Sequence, residues 1–230
     1  MTPGSPLATV VVFHVGPVAV TRPVVTTWAV MLVLTVTSWA ATRRLGLTAT
    51  RRQAVLELLV TGILSQIEEV IRSDARPLLP LLGTLFIFLL AANVCGILPG
   101  VQAPTAHIET PAALALIVFL AVHVFGIRAR GLLGYLGSFA QPKLIMLPLN
   151  ILSEITRTFS LMVRLFGNIM SGEFLIGLVL ALAGLFLPIP LMALELLIGV
   201  VQAYIFTVLA TVFIGAAVGE EAGEAAAVHP

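Results

Sequence analysis

The sequence predicts an all-α integral membrane protein with about five transmembrane helices and one amphipathic helix at the cytoplasmic interface. Three observations predict it. Of 230 residues, 59% are hydrophobic and only 10% are charged, whereas a soluble domain carries roughly 25% charged residues. The mean hydropathy is +1.11, and apolar runs long enough to cross a bilayer recur between residues 24 and 218. Finally, Lys and Arg gather in two of the connections between those runs and are absent from the other two.

The first run covers 24–41 and is closed by Arg43 and Arg44. In 51–73, Val55, Leu58, Leu59, Ile63 and Ile67 recur at helical spacing, interrupted by Glu57, Gln66, Glu68, Glu69 and Arg72. This pattern suits a helix lying in the interface rather than crossing it. A second span, 78–98, stops at Pro99-Gly100. A third, 111–127, ends in Arg128 and Arg130 and leads into a Gly- and Gln-containing connector to Lys143. Two longer apolar helices follow, 147–186 and 190–218, with Leu187-Pro188-Ile189-Pro190 expected as the turn between them. The chain therefore divides into an outer N-terminal segment (1–23), a single transmembrane domain (24–218) and an acidic, mobile cytoplasmic tail (219–230).

Arg43, Arg44, Arg51, Arg52, Arg72 and Arg76 lie between spans one and two, and Arg128, Arg130 and Lys143 between spans three and four. Both connections are expected in the cytoplasm, which puts the N-terminus outside and the C-terminus inside; Arg22 is the one flank that disagrees. Residues 1–23 lack the basic start and small-residue cleavage site of a signal peptide, and they are not rich in Arg and Ser as a transit peptide would be. A bacterial plasma (inner) membrane fits, although an organelle-encoded protein would lack a transit peptide too. The single Cys95 excludes an internal disulfide framework. The four histidines show no metal-ligand spacing, and no phosphate-binding loop is present. No catalytic site, metal, cofactor or nucleic-acid partner is expected on this chain.

The last two helices carry Glu154, Arg157, Arg164, Asn168, Glu173, Glu195 and Gln202. A charge at mid-bilayer costs at least ~2.5–3.5 kcal/mol on insertion scales, so such residues are functional candidates. At about 100° per residue, Arg157, Ser160, Arg164, Asn168 and Ser171 form one polar stripe, with Gly167 beside it and Glu154 at its edge. Glu173 falls on the opposite face, and Glu195 and Gln202 share a face of the final helix. A buried guanidinium with little acid on its own stripe calls for a carboxylate from another subunit. The alternatives at this level stay open. Arg164 and Arg157 snorkel to the interface, Glu173 and Glu195 form a protonated bridge, or Asn168 and Gln202 are interhelical hydrogen-bond glue. His123 reads as structural, and Gly172 as an aid to close helix packing.

Residues 160–168, Ser-Leu-Met-Val-Arg-Leu-Phe-Gly-Asn, followed by Gly172-Glu173, resemble the signature of subunit a of F-type ATP synthases. The stretch Gln202-Ala203-Tyr204-Ile205-Phe206-Thr207-Val208-Leu209 resembles that family's second signature, and Asn93, Leu98-Pro99 and Pro104-Thr105-Ala106 fit its second span and outer loop. The likeness extends from about Ile71 onward and is weaker before it. It implies a stator beside a rotating ring of c subunits, with the last two helices forming a long tilted hairpin against that c-ring. Two offset half-channels would lead H⁺ (alternatively Na⁺) to the ring from opposite sides.

By the same resemblance Arg164 would attract each ionised ring carboxylate and block a direct leak. Asn168 would be its polar neighbour, Glu173, Glu195 and Gln202 would serve the outer path, and Glu154 the inner one. The c-ring, a subunit b peripheral stalk, the rest of the ATP synthase complex and the lipid bilayer are the implied partners. Where the family often has Asp and Asn in the second outer loop, this chain has His107 and Glu109, a pattern similar to the N-type branch of these ATPases, for which sodium transport has been proposed. Thr158 stands where Pro is common, and Gly96 where an acid is common.

Two other classes fit less well. A secondary transporter would show internal repeats with broken helices at matching positions, and none is visible. A purely structural scaffold leaves the charges of the last two helices without a reason.

Overall fold

The computed structural model describes residues 11–15, 18–43, 51–71, 75–96, 103–139, 144–184 and 186–218. Six helices carry the chain: α1 (Arg22–Thr42), α2 (Arg51–Ile71), α3 (Leu79–Cys95), α4 (Glu109–Phe139), α5 (Leu147–Ala183) and α6 (Pro188–Val218). The protein is therefore an all-α membrane protein in its body, with four long apolar helices and one shorter one, α3. A short antiparallel hairpin, β1 (Val11–Val15) paired with β2 (Val18–Thr21), precedes α1, an element the sequence reading did not include. The acidic tail, 219–230, lies outside the described residues.

Helix length against bilayer thickness sorts these elements. With 21 residues, α1 is about 31 Å long, close to the ~30 Å hydrocarbon core. By contrast α3 has 17 residues, about 25 Å, and needs its flanking turns to cross. At 37 residues, α5 reaches about 55 Å and must tilt or extend beyond the hydrocarbon.

The core lies where α3 packs on α6, flanked by α4 and α5. On α3, Leu82, Leu85, Leu89 and Ala92 are buried at intervals of three and four, against Ala203, Phe206, Ala210 and Ile214 of α6. The small residues of α6 let the two backbones approach, which is how helices bind in lipid without a hydrophobic driving force between them. From α2, Ile67 is buried in the same core while Leu58 and Val55 remain exposed, and the Tyr204 hydroxyl donates to Gln66 Oε1 at 2.9 Å.

Two boundaries differ from the sequence expectation. The connector after 127 is helical to Phe139, because α4 reverses at Gly131, whose φ of 72° suits a residue without Cβ. Beyond the bend the chain folds back. In a straight helix His123 and Phe139 would be about 24 Å apart, yet their ring centroids lie 6.5 Å apart. Tyr135 packs onto Gly126, where a Cβ would meet the ring at 2.4 Å. His123 sits among Phe119, Tyr135 and Phe139 with Nδ1 bonded to the Phe119 carbonyl at 2.8 Å, so its role here is structural.

The turn between the last helices also shifts. Gly184, with φ of 73°, ends α5, and Pro188 already belongs to α6. Proline suits a first helical turn because its missing N–H would find no partner there.

The bend yields a stability prediction. Gly126→Val should lower the thermal unfolding midpoint of the detergent-solubilised protein, at a cost of about 1–3 kcal/mol from overpacking against Tyr135. Gly137→Val, where a Cβ meets nothing within 4 Å, should change it by less than about 0.5 kcal/mol.

Candidate ion-translocation site

On α5 the polar stripe expected from the sequence lies largely on an exposed face. Leu161, Leu165 and Ile169 are buried within the chain, while Arg157, Ser160, Arg164 and Ser171 are exposed. Only 11% of the apolar window of α5 is buried in the chain, against 44% for α6. Among the described residues Arg164 makes no hydrogen bond or ion pair. It lines a groove of about 460 Å³ with Arg157, Ser153, Ser160, Leu209 and Phe213.

The stripe is not uniform. Arg157 is paired, with Nη1 3.8 Å from Glu154 Oε2 and its guanidinium 5.6 Å from the Phe213 ring centre. Asn168 lies between the two faces of α5. It is half-buried, and its Nδ2 donates to Gln202 Oε1 at 3.4 Å. Asn168 thus turns toward α6 rather than outward with Arg164. Gln202 is 5% exposed, and its Nε2 has no partner among the described residues.

On the other face of α5, Glu173 Oε1 accepts a hydrogen bond from the Ala103 N–H at 3.3 Å. The Glu195 carboxylate reaches across from α6 and lies against Gly172, where a Cβ would stand 2.6 Å from Oε1. Gly172 therefore makes room for a functional side chain as well as for helix packing. No hydrogen bond joins Glu173 and Glu195 among the described residues.

Glu109 and His107 make no hydrogen bond or ion pair with this pair among the described residues. Glu109, in the first turn of α4, accepts a hydrogen bond from the Thr21 hydroxyl at 3.0 Å; an acid there also favours the helix N-terminus. Next to it Thr27 and Thr110 share a hydrogen bond of 3.3 Å. Glu109 thus ties α4 to the start of α1. His107 is half-exposed and makes no hydrogen bond or ion pair among the described residues.

A buried node absent from the sequence-derived candidates lies behind Glu195. Asn93 Nδ2 donates to the Gly199 carbonyl at 2.7 Å, and its Oδ1 accepts from the Thr105 hydroxyl at 3.2 Å. At Gly199 a Cβ would meet Asn93 Cβ at 2.9 Å. The node locks α3, the buried turn Pro104–Ala106 and α6 together, on the stretch of α6 between Glu195 and Gln202. One signal for it was available: Asn93 is a single amide near the end of an otherwise apolar run, where an unsatisfied polar group is costly.

The fold and the polar residues define a multi-pass α-helical membrane protein that carries ionisable groups inside its apolar helices. Residues 24–215 match the family described as ATP synthase A chain, and the chain belongs to that family. It is 73% identical over 218 residues to ATP synthase subunit a 2 of Bradyrhizobium sp. strain BTAi1, covering 95% of this chain and 98% of that protein. It is also 50% identical over 210 residues to ATP synthase subunit a 1 of Chlorobaculum parvum, covering 90% and 93% of the two chains. A third relative, ATP synthase subunit a of Albidiferax ferrireducens, is 52% identical over 196 residues, covering 84% and 85%.

Removing the buried node should be costly. Asn93→Leu strands the Thr105 hydroxyl and crowds Gly199. Its expected cost is about 1–3 kcal/mol, read as a lower unfolding midpoint in detergent; Asn93→Asp keeps an acceptor for Thr105 but sets a carboxyl against the Gly199 carbonyl in place of the N–H donor, so it should be no milder.

Proposed function

We propose that this chain is the membrane stator subunit of a rotary ATP synthase, coupling ion flow to rotation of a c-ring and so to ATP synthesis or hydrolysis. The observation that carries the reading is Arg164. A guanidinium without an acidic partner among the described residues, on the exposed face of a long apolar helix, is matched to an external carboxylate. The ring of c subunits supplies that carboxylate, and subunit b and the remaining subunits hold the stator against it. The host is a bacterial plasma membrane, with the N-terminus outside and the C-terminus in the cytoplasm.

The chemistry follows from electrostatics. A carboxylate in lipid favours its neutral form, and beside an arginine its ionised form. A ring carboxyl arriving from lipid gives up its ion to the exit path as it approaches Arg164. It then moves on as an ionised group until the entry path reloads it. Arg164 cannot deprotonate, so it also bars ions from passing directly between the two paths.

Glu173 and Glu195, the latter lying against Gly172 next in sequence to the former, serve the outer path, with Gln202 and Asn168 linking it toward Arg164. Glu154, beside Arg157, marks the inner side. The translocated ion is H⁺; the carboxylates also suit Na⁺, for which His107 and Glu109 give the outer loop a different entry chemistry.

Arg164→Ala should abolish ion-driven ATP synthesis in vesicles carrying the whole complex, while the complex still assembles. Coupled synthesis retained in that variant, without a second-site change, would sink the proposal. Replacing Glu173 and Glu195 together by Gln should reduce ion flux at least about tenfold. Unchanged flux would move both acids to a structural role.

A further inference from the structure

Two arginines line one groove, and among the described residues only Arg157 has an acidic partner. Arg157 and Arg164 stand two helical turns apart on α5, about 10.5 Å along the axis. An ionised carboxylate attracted to one is therefore within reach of the field of the other in a low-dielectric setting. We propose that Glu154 is a positioning residue that holds Arg157 out of competition with Arg164 for the passing rotor carboxylate. The inference rests on the stator reading above.

The geometry is specific. Glu154 Oε2 lies 3.8 Å from Arg157 Nη1, one turn away, with the Glu154 side chain 15% exposed and that of Arg157 48%. The other side of the guanidinium covers the Phe213 ring on α6, so Arg157 is held by an acid and a ring face together. Glu154 is thus the acid that sits one turn from Arg157 on the same helix, and the less exposed member of the pair. With Arg157 neutralised, Arg164 is the uncompensated cation of the pair, and the rotor meets one deep well on this face instead of two.

The test is a mutant cycle in the whole complex, reconstituted into vesicles, with ATP synthesis and ATP-driven ion pumping as readouts. Glu154→Gln should lower both about tenfold by leaving Arg157 free to trap the carboxylate. Adding Arg157→Gln should return the double variant to the rate of Arg157→Gln alone. Glu154→Asp, which keeps the charge, should retain most of the activity, and the subunit content of the purified complex separates loss of coupling from loss of assembly. An unaffected Glu154→Gln complex overturns the proposal. So does a double variant as impaired as Glu154→Gln, because that outcome makes Glu154 an ion-path group in its own right. Arg164→Ala in the same series separates the two levels: if it leaves coupling intact the stator reading fails, and if it abolishes coupling while the rescue is missing, only the clamp fails.

Discussion

A guanidinium keeps its proton at any accessible pH, so an arginine set into an apolar helix commits the protein to finding it a counter-charge or water. Arg164 is placed under that constraint. The buried ridge Leu161, Leu165 and Ile169 turns one side of α5 into the protein, and this leaves Arg164 on the side where no acid among the described residues pairs with it. Arg157, on the same stripe, is compensated by Glu154. The difference between two arginines seven residues apart is thus one of neighbours, not of residue type.

Holding an uncompensated charge at a defined depth requires a rigid support, and α6 supplies it. Its close packing on α3 depends on small residues, with Gly199 and Ala203 allowing Asn93 and the α3 backbone to approach. The Asn93 amide then spends both of its polar ends inside the bundle, on Gly199 and Thr105. In lipid an amide left unbonded there would find no water, so the amide, bonded at both its nitrogen and its oxygen, fixes the register of α6 against α3. That register sets where Glu195 and Gln202 face α5. Gly172 completes the arrangement from the α5 side, since any side chain there would displace the Glu195 carboxylate.

The fold-back of α4 at Gly131 rests on a second close approach at a glycine. Tyr135 reaches Gly126 only because both the bend and the bare Cα are present, and the returning segment is tied to the start of α5 by Asn150 Nδ2 donating to the Phe139 carbonyl at 2.9 Å. The local sequence around 128–143 shows Gly, Gln and charge, which reads as a connector. The helical, packed state of 128–139 depends on aromatic contacts with residues a full helix turn or more before the bend, and local pattern does not encode those.

Much of the architecture was legible from the chain alone. Apolar runs of bilayer length, an amphipathic stretch over 51–73 and the polar stripe of α5 follow from composition and the period of the helix. Those features depend on each residue's own solvation and on spacing along one helix. The tertiary structure alone decided which polar residues share an environment. Asn168 turns to Gln202 instead of outward with Arg164, Glu109 pairs with Thr21, Glu195 lies against Gly172, and Asn93 bridges α3 and α6. Each of these is a contact between residues far apart in sequence, set by how closely two helices approach, and helix periodicity gives a residue's face but not what lies opposite it.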